Sequence, residues 1–459
     1  MTTMPGVISR LGALAAASCA VLLAGGCADS LPSLPKIGDL NPFKEKQTPL
    51  PGRRVSILET EDTVTGALAE TGGPIAIPPP RANAAWAQPG GEANNAPGNV
   101  ELAASVRELW SADAGTGSSK AGRVTASPIV YGNGVYTLDA AGNVSAFSTQ
   151  GSPVWRVSLM PETEQEGGFF SFGGSAGGGY GGGLAADDGR LYATSGYGNV
   201  AALDPASGKK LWEKNLGAPI RSSPTAAGGR VYAVSLEGRF YCLSGADGAE
   251  LWSVRGLPQQ ASLVLNVSPA VDGDVVVAPY PSGDLIALKT ADGSALWTES
   301  LSRTRATNQL ASLSNAARPV IDGGMAFAIG HAGRMIATHA RTGERLWSLN
   351  VPGTQTPAVA GGAVFVADTS GQLLAISRKD GKIQWTAKLP GAGPWSGPTL
   401  AGSALWLASG KGALVSVDAA TGKTLTQQDL GYPVYVAPIV AQGRMYILTD
   451  SAKLLALGG

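Results

Sequence analysis

From about residue 101 onward, hydrophobic positions come in short runs separated by glycine-bearing turns, the pattern of short half-buried strands. In the unit that starts at Ser223-Pro224, a hydrophobic strand is turned by Gly228-Gly229 and Val231 to Ser235 runs back. Glu237-Gly238 turns again, Phe240 to Leu243 forms a third strand, and Ala246-Asp247-Gly248 leads into a fourth that carries Leu251-Trp252. The pattern predicts four short antiparallel strands per unit, the content of one propeller blade. Chain reversals at positive φ account for the glycine at each turn.

The unit recurs. Pro224 and Trp252, Pro269 and Trp297, Pro319 and Trp347, Pro357 and Trp385, and Pro398 and Thr426 are each separated by 28 positions, with threonine in the ring's place in the last pair. Pro128 and Trp155 form a pair one residue shorter, and the tryptophans Trp110, Trp155, Trp212, Trp252, Trp297, Trp347 and Trp385 recur every 38 to 57 residues. Such a period belongs to stacked or radial repeats. Counting 28 back from Trp212 puts a proline-type anchor at Leu184, and Pro438 begins a last unit that ends without a fourth strand. The segment around Trp110 is a fourth strand without a preceding three. The expectation is an all-β, eight-bladed propeller of four-stranded antiparallel blades over residues 101–459. The N-terminal strand of this domain closes the ring by pairing with the C-terminal blade, because closure removes exposed edges. The seven tryptophans are expected to dock blade on blade, and Thr426, an unfilled slot, to mark the loosest contact.

Residues 1–26 read as a processing segment. Arg10 gives a positive start, Leu11 to Leu23 is apolar but too short to span a bilayer, and Ala24-Gly25-Gly26 leads into Cys27. This resembles a bacterial lipoprotein signal, which makes Cys27 the expected lipidation site. Residues 27–100 are dense in proline, including Pro78-Pro79-Pro80, with no sustained period, and are expected to be a largely extended tether. In the sorting rule of lipoproteins, aspartate directly after the cysteine favours the inner membrane. Ala28 stands there, so the outer membrane is expected.

Composition narrows the function classes. Thirty-four basic residues balance 34 acidic ones, so no electrostatic case exists for nucleic acid. Of three cysteines, Cys19 leaves with the signal and Cys27 takes the lipid; Cys242, in the run Arg239 to Leu243, is expected to be a buried core residue. His331 and His339 lack the further ligands that zinc needs, and no nucleophile and base pair by spacing, so no catalytic, cofactor or metal site is predicted. The run Gly167 to Gly183 holds ten glycines in seventeen residues but not the lysine and hydroxyl of a phosphate loop. It reads as a mobile insertion.

The spacing of alanine, aspartate, glycine, lysine and tryptophan from Ala202 to Trp212 is similar to the docking motif of quinoprotein-alcohol-dehydrogenase-like propellers. With the Cys27 signal, Leu50-Pro51-Gly52-Arg53-Arg54 and Trp86-Ala87-Gln88-Pro89-Gly90-Gly91, the chain resembles the BamB family of the outer-membrane β-barrel assembly machinery. That resemblance implies a non-enzymatic scaffold that binds the periplasmic domains of BamA, joins other subunits of the machinery, and assists outer-membrane clients. In the family a Leu-x-Leu-Arg stretch contacts the partner. Here it falls on Ala261 to Val264, with Leu263 matching the second leucine, and Leu263 and Leu265 are the expected contact residues. The family's aspartate positions hold Ser314 and Ala316, on a loop from Leu301 to Arg318 that carries Arg303, Arg305 and Arg318. The alternatives are a periplasmic ligand-binding propeller and a quinone-dependent dehydrogenase; against the latter, no two cysteines are adjacent.

Overall fold

A computed structural model describes residues 75–161, 181–256, 266–301, 316–331, 333–391 and 393–459. Cys27, Leu263, Leu265, Ser314, Arg303 and Arg305 lie outside the described residues, as does most of the glycine-rich run. Among the described residues, 32 strands form eight four-stranded antiparallel sheets and no helix occurs. Each of the first seven sheets is one continuous stretch of chain, from Ile129–Tyr131 in blade one to Thr424–Asp429 in blade seven. The eighth takes three strands from the C-terminal end, Ile439–Ala441, Arg444–Leu448 and Lys453–Gly458, and its fourth, Arg107–Asp113, from the start of the domain. Trp110 pairs with Ala456 in this sheet, closing the ring as the two incomplete end units predict.

Register identifies the slot that lacks its proline. Ala185 pairs with Tyr192 as Thr225 pairs with Tyr232 and Ile129 with Tyr136, so Leu184 occupies the place held elsewhere by Pro224 and Pro128. First strands of neighbouring blades touch one another, which makes them the inner ring around the axis. Fourth strands such as Lys210–Asn215 alternate exposed and half-buried positions and form the outer rim.

Blades are joined by one repeated contact. Each ladder tryptophan sits on the fourth strand opposite a small residue (Ala146 for Trp155, Ala202 for Trp212, Cys242 for Trp252), which leaves room for its ring. Its indole nitrogen donates to a carbonyl in the next blade's third turn. The acceptors run from Thr149 O for Trp110, at 3.1 Å, and Pro205 O for Trp155, at 3.0 Å, to Ala419 O for Trp385, at 3.2 Å. Trp212, Trp252, Trp297 and Trp347 repeat the bond to Gly245, Thr290, Ala340 and Arg378 at 2.8–3.1 Å. The same turn places a glycine under the ring. At Gly208 and Gly248, with φ of 71° and 74°, an added Cβ would lie 2.6 and 2.7 Å from the indole, so these positions need glycine for both backbone and space.

The missing tryptophan has a physical cause. Thr426 faces the blade whose third and fourth strands come from opposite ends of the domain, so no turn exists there to receive an indole. Its hydroxyl instead meets that of Ser416 across the ladder at 2.6 Å. The blade-seven ring that fills the joint is Trp406, 1% exposed, in a cluster shared with Tyr446 and Leu102. Two outcomes follow. Trp212→Ala should cost about 3–5 kcal/mol in denaturant unfolding, as truncation of a large packed ring does, whereas Thr426→Trp should add no stability. In native-state hydrogen exchange the joint between blades seven and eight should open first; uniform protection would refute this.

Candidate functional site: a plugged channel

Residues 75–100, read from sequence as the distal part of a tether, are packed on the propeller and close one end of its channel. The inner edge of each first strand has no neighbouring strand in its own sheet, which leaves backbone groups to be satisfied. The segment supplies partners in a lap around the axis. Asn83 Nδ2 donates to Val440 O in blade eight at 2.8 Å, and Trp86 exchanges backbone bonds of 2.8 and 2.9 Å with Val130 in blade one. Gln88 bridges two blades: Nε2 donates to Ala186 O and Ala226 O at 2.9 and 2.8 Å, and Oε1 accepts from Ala226 N at 3.0 Å. Ala93 O and Asn94 O accept from Val271 and Ile321 of blades four and five. Asn95 Nδ2 then donates to Pro269 O and Pro319 O at 3.2 and 2.9 Å, and Val100 returns to pair beside Ala401 in blade seven. Trp86, Gln88 and Asn95 are all buried.

On the other side of this plug the channel opens as a funnel of about 420 Å³. Trp86, Pro89, Asn95 and Pro97 line it from the plug, and the segments that enter the first strands of blades one and four to eight supply the walls. The charged side chains along its described lining are Arg123, Arg318 and Asp450. Arg123 is exposed, whereas Arg318 is only 8% exposed. Arg318 Nη1 donates to Pro89 O at 3.2 Å and Nη2 lies 3.5 Å from Asn266 O, while Nε has no partner. Burial pulls this guanidinium down to about 10, still well above neutral pH, so the side chain stays cationic. Arg318 thus clamps the plug to blade five through Pro89. Asn266 does the same between blades: its Oδ1 accepts from Ser223 N at 3.0 Å, and its Nδ2 donates to Gly182 O.

The structure separates the residues that sequence singled out. The seven tryptophans lie on the outer strands, away from the funnel lining. His331 and His339 are exposed, and no group of three or more His, Cys, Asp or Glu gathers among the described residues. Ala316 is buried, forming a bridge with Gly330 rather than part of an exposed loop. Arg318, read from sequence as part of an interaction loop, is in the funnel wall. Cys242 is fully buried between Tyr232 and Trp252 on the flanking strands, and burial pushes its thiol up to about 12. The plug's role escaped the sequence reading because its run occurs once, without a period. Arg318 did carry a signal. In the slot before each anchor, the other blades have Ser127, Gly183, Ser223, Ser268, Thr356, Gly397 and Ala437, so a long cation in blade five is the outlier.

The fold and its docking repeat define a propeller of quinoprotein-type repeats. A family model described as "Outer membrane protein assembly factor BamB" matches residues 140–387 and 385–458, and the chain belongs to that family. It is similar to the outer membrane protein assembly factor BamB of Burkholderia pseudomallei (strain K96243), at 25% identity over 208 residues. That match takes in 45% of this chain and 49% of the relative, so the chain spans about half the relative's length. Among solved structures, BamB from Moraxella catarrhalis has a TM-score of 0.64 at 16% identity, covering 77% of this chain and all of that one. The quinohemoprotein alcohol dehydrogenase of Comamonas testosteroni reaches 0.63 at 14% identity, covering 82% of this chain and 81% of its own. At these identities both structures speak to the fold alone.

For the quinone-dependent alternative, a calcium centre would not fit the funnel's described lining. Calcium takes six to eight oxygen ligands, several from carboxylates, and Asp450 is the single carboxylate of the funnel's described lining.

Two measurements address this site. Replacing Gln88 by alanine leaves buried backbone groups of blades two and three unpaired and should destabilise the fold by about 1–3 kcal/mol, and a chain starting at residue 101 should lose more, both read by thermal unfolding. Cys242 should resist iodoacetamide at pH 8 in the native protein and react only on unfolding; fast native labelling would contradict its burial.

Proposed function

We propose that this protein is a non-enzymatic scaffold of outer-membrane protein assembly, lipid-anchored at Cys27 on the periplasmic face of the outer membrane. In this reading it binds the periplasmic domains of BamA alongside other subunits of the machinery. The observation that carries the proposal is the family match from residue 140 to 458, which takes in almost all the blades. The ring's construction supports it: the repeated spacing goes into blade docking and closure, and the channel is occupied at one end by the chain's own segment, which suits a rigid platform. Leu263 and Leu265 are the proposed partner contacts, since buried apolar anchors decide most interfaces. Residues 27–74 would connect the lipid to the ring, two or more acyl chains giving stable attachment.

Affinity capture from detergent-solubilised envelopes tests the proposal. Recovery of barrel-assembly subunits with the wild-type chain, reduced about tenfold or more by a Leu263→Ala, Leu265→Ala pair at hot-spot strength, is the expected result. Cys27→Ser should release the protein from the membrane fraction without changing its fold. Reproducible absence of those subunits would turn the reading toward a periplasmic ligand-binding propeller.

A further inference from the structure

The plug covers the inner edges of the ring with one omission. In blade one, Trp86 exchanges both backbone bonds with Val130, the middle residue of the first strand. At the same register in blades two to five, seven and eight a plug residue likewise bonds the edge. Blade six is passed over. Its first strand, Ala358–Ala360, is joined to the second by the turn between Ala360 and Ala363, so Val359 and Val364 form a non-hydrogen-bonded pair. Val359 therefore turns its N–H and C=O away from the sheet and toward the axis. Among the described residues, no hydrogen bond reaches Val359 or the Pro357 carbonyl from outside the sheet. The plug residue that crosses here explains the gap: Pro97 has no N–H to give, and its carbonyl accepts from Arg81 Nη2 at 2.9 Å. Buried backbone groups are paired by protein or by water, so an edge left open beside a cavity is one that solvent reaches. Val359 and Pro357 both line the funnel, Ala358 between them is half-buried, and nothing lies within 4 Å of where a Cβ would stand on the plug's Gly98.

We propose that the funnel binds an extended peptide by its backbone, one peptide residue exchanging N–H and C=O bonds with Val359 as Trp86 does with Val130. The occupant follows from the ring itself. At this register the chain covers the other blades' edges with its own backbone and side-chain amide groups, and blade six continues that interface into the cavity. Strand addition takes its affinity from main-chain bonds. The cavity, at about 420 Å³, lies in the range of small-ligand pockets, roughly 300–1,000 Å³, which suits a short segment. Its mouth supplies an apolar shelf. Tyr435, 44% exposed, lines the funnel with its ring seated on Gly410, where an added Cβ would lie 2.6 Å from the ring. Thr369 and Asp450 hold the corresponding place in blades six and eight, each donating its N–H to a proline carbonyl as Gly410 does to Pro394 O. Glycine in blade seven is what lets the ring lie down. An exposed aromatic held in this way is ordered before a ligand arrives, which lowers the cost of covering it with a peptide side chain. The bonding uses neither Arg123 nor Asp450 of the lining, so the ligand needs no charge.

The inference rests on the ring's inner edge rather than on the partner assignment, and is tested on the full chain in detergent by isothermal titration calorimetry. The probes are acetyl-Thr-Val-Thr-amide, the same peptide as its free acid, and the amide N-methylated at every residue. Amide and free acid should bind alike. N-methylation removes the backbone donors and keeps the side chains, and should weaken binding roughly five- to tenfold or more, as loss of a hydrogen bond does. Val359→Pro deletes the N–H that faces the funnel without touching a ladder bond, and should weaken the unmodified peptide by a similar factor. Where that variant fails to fold, Tyr435→Ala decides: the ring is exposed, so the melting temperature should hold while binding weakens several-fold. No binding of the unmodified peptide, equal binding of the N-methylated one, binding of the free acid alone, or full affinity in a folded Val359→Pro or in Tyr435→Ala would overturn the proposal.

Discussion

The contact on which this molecule depends is an indole laid on a glycine turn of the next blade. Each instance unites three requirements: a small residue opposite the tryptophan, a carbonyl about 3 Å from its nitrogen, and a glycine at positive φ beneath its ring. A propeller blade touches only its neighbours, so ring stability is close to a sum of such joints. The joints also set the blade-to-blade rotation, because the ring is seated by both a directional bond and a close approach. The exception at Thr426 follows from the same geometry: the neighbouring blade is assembled from both ends of the domain, and a joint without a turn has no place for an indole. There, Trp406 and Leu102, just after the plug, take over the packing.

An eight-membered ring creates a second constraint at its centre. Its short first strands present inner edges that their own sheets leave unpaired, and edges in a protein are covered or blunted. The chain meets this by turning its own Asn83 to Val100 segment around the axis. Gln88 and Asn95 are well suited to the task, because a side-chain amide can bond backbone groups of two converging strands at once. The plug therefore ties blades together from inside as the tryptophans tie them from outside.

Most of the fold was legible in sequence and most of the site was not, and the difference is physical. The proline-to-tryptophan interval is repeated, so periodicity alone exposes the blade, the Leu184 slot and the closing strand. The plug acts once and through specific side-chain to backbone bonds, which leave no period; in a proline-rich stretch, Trp86 to Gly91 looks like linker. Arg318 lies between these cases. Its neighbour Pro319 is part of the ladder, and only alignment of the preceding slot across the blades makes a buried guanidinium stand out among Ser127, Ser223 and Thr356.

The division of labour in the ring explains why such a departure can be tolerated where it occurs. Substitutions at the outer joints act on a neighbouring blade through a tightly seated ring. The slot before the first strand lies at the funnel wall, where a longer side chain can reach across to the plug and the neighbouring blade, as Arg318 does to Pro89 O and Asn266 O. Burial of charge is still costly in that position, and the bonds to Pro89 O and Asn266 O offset only part of it. A ring held rigid by seven indole joints and an internal plug can carry that residual imbalance without unfolding.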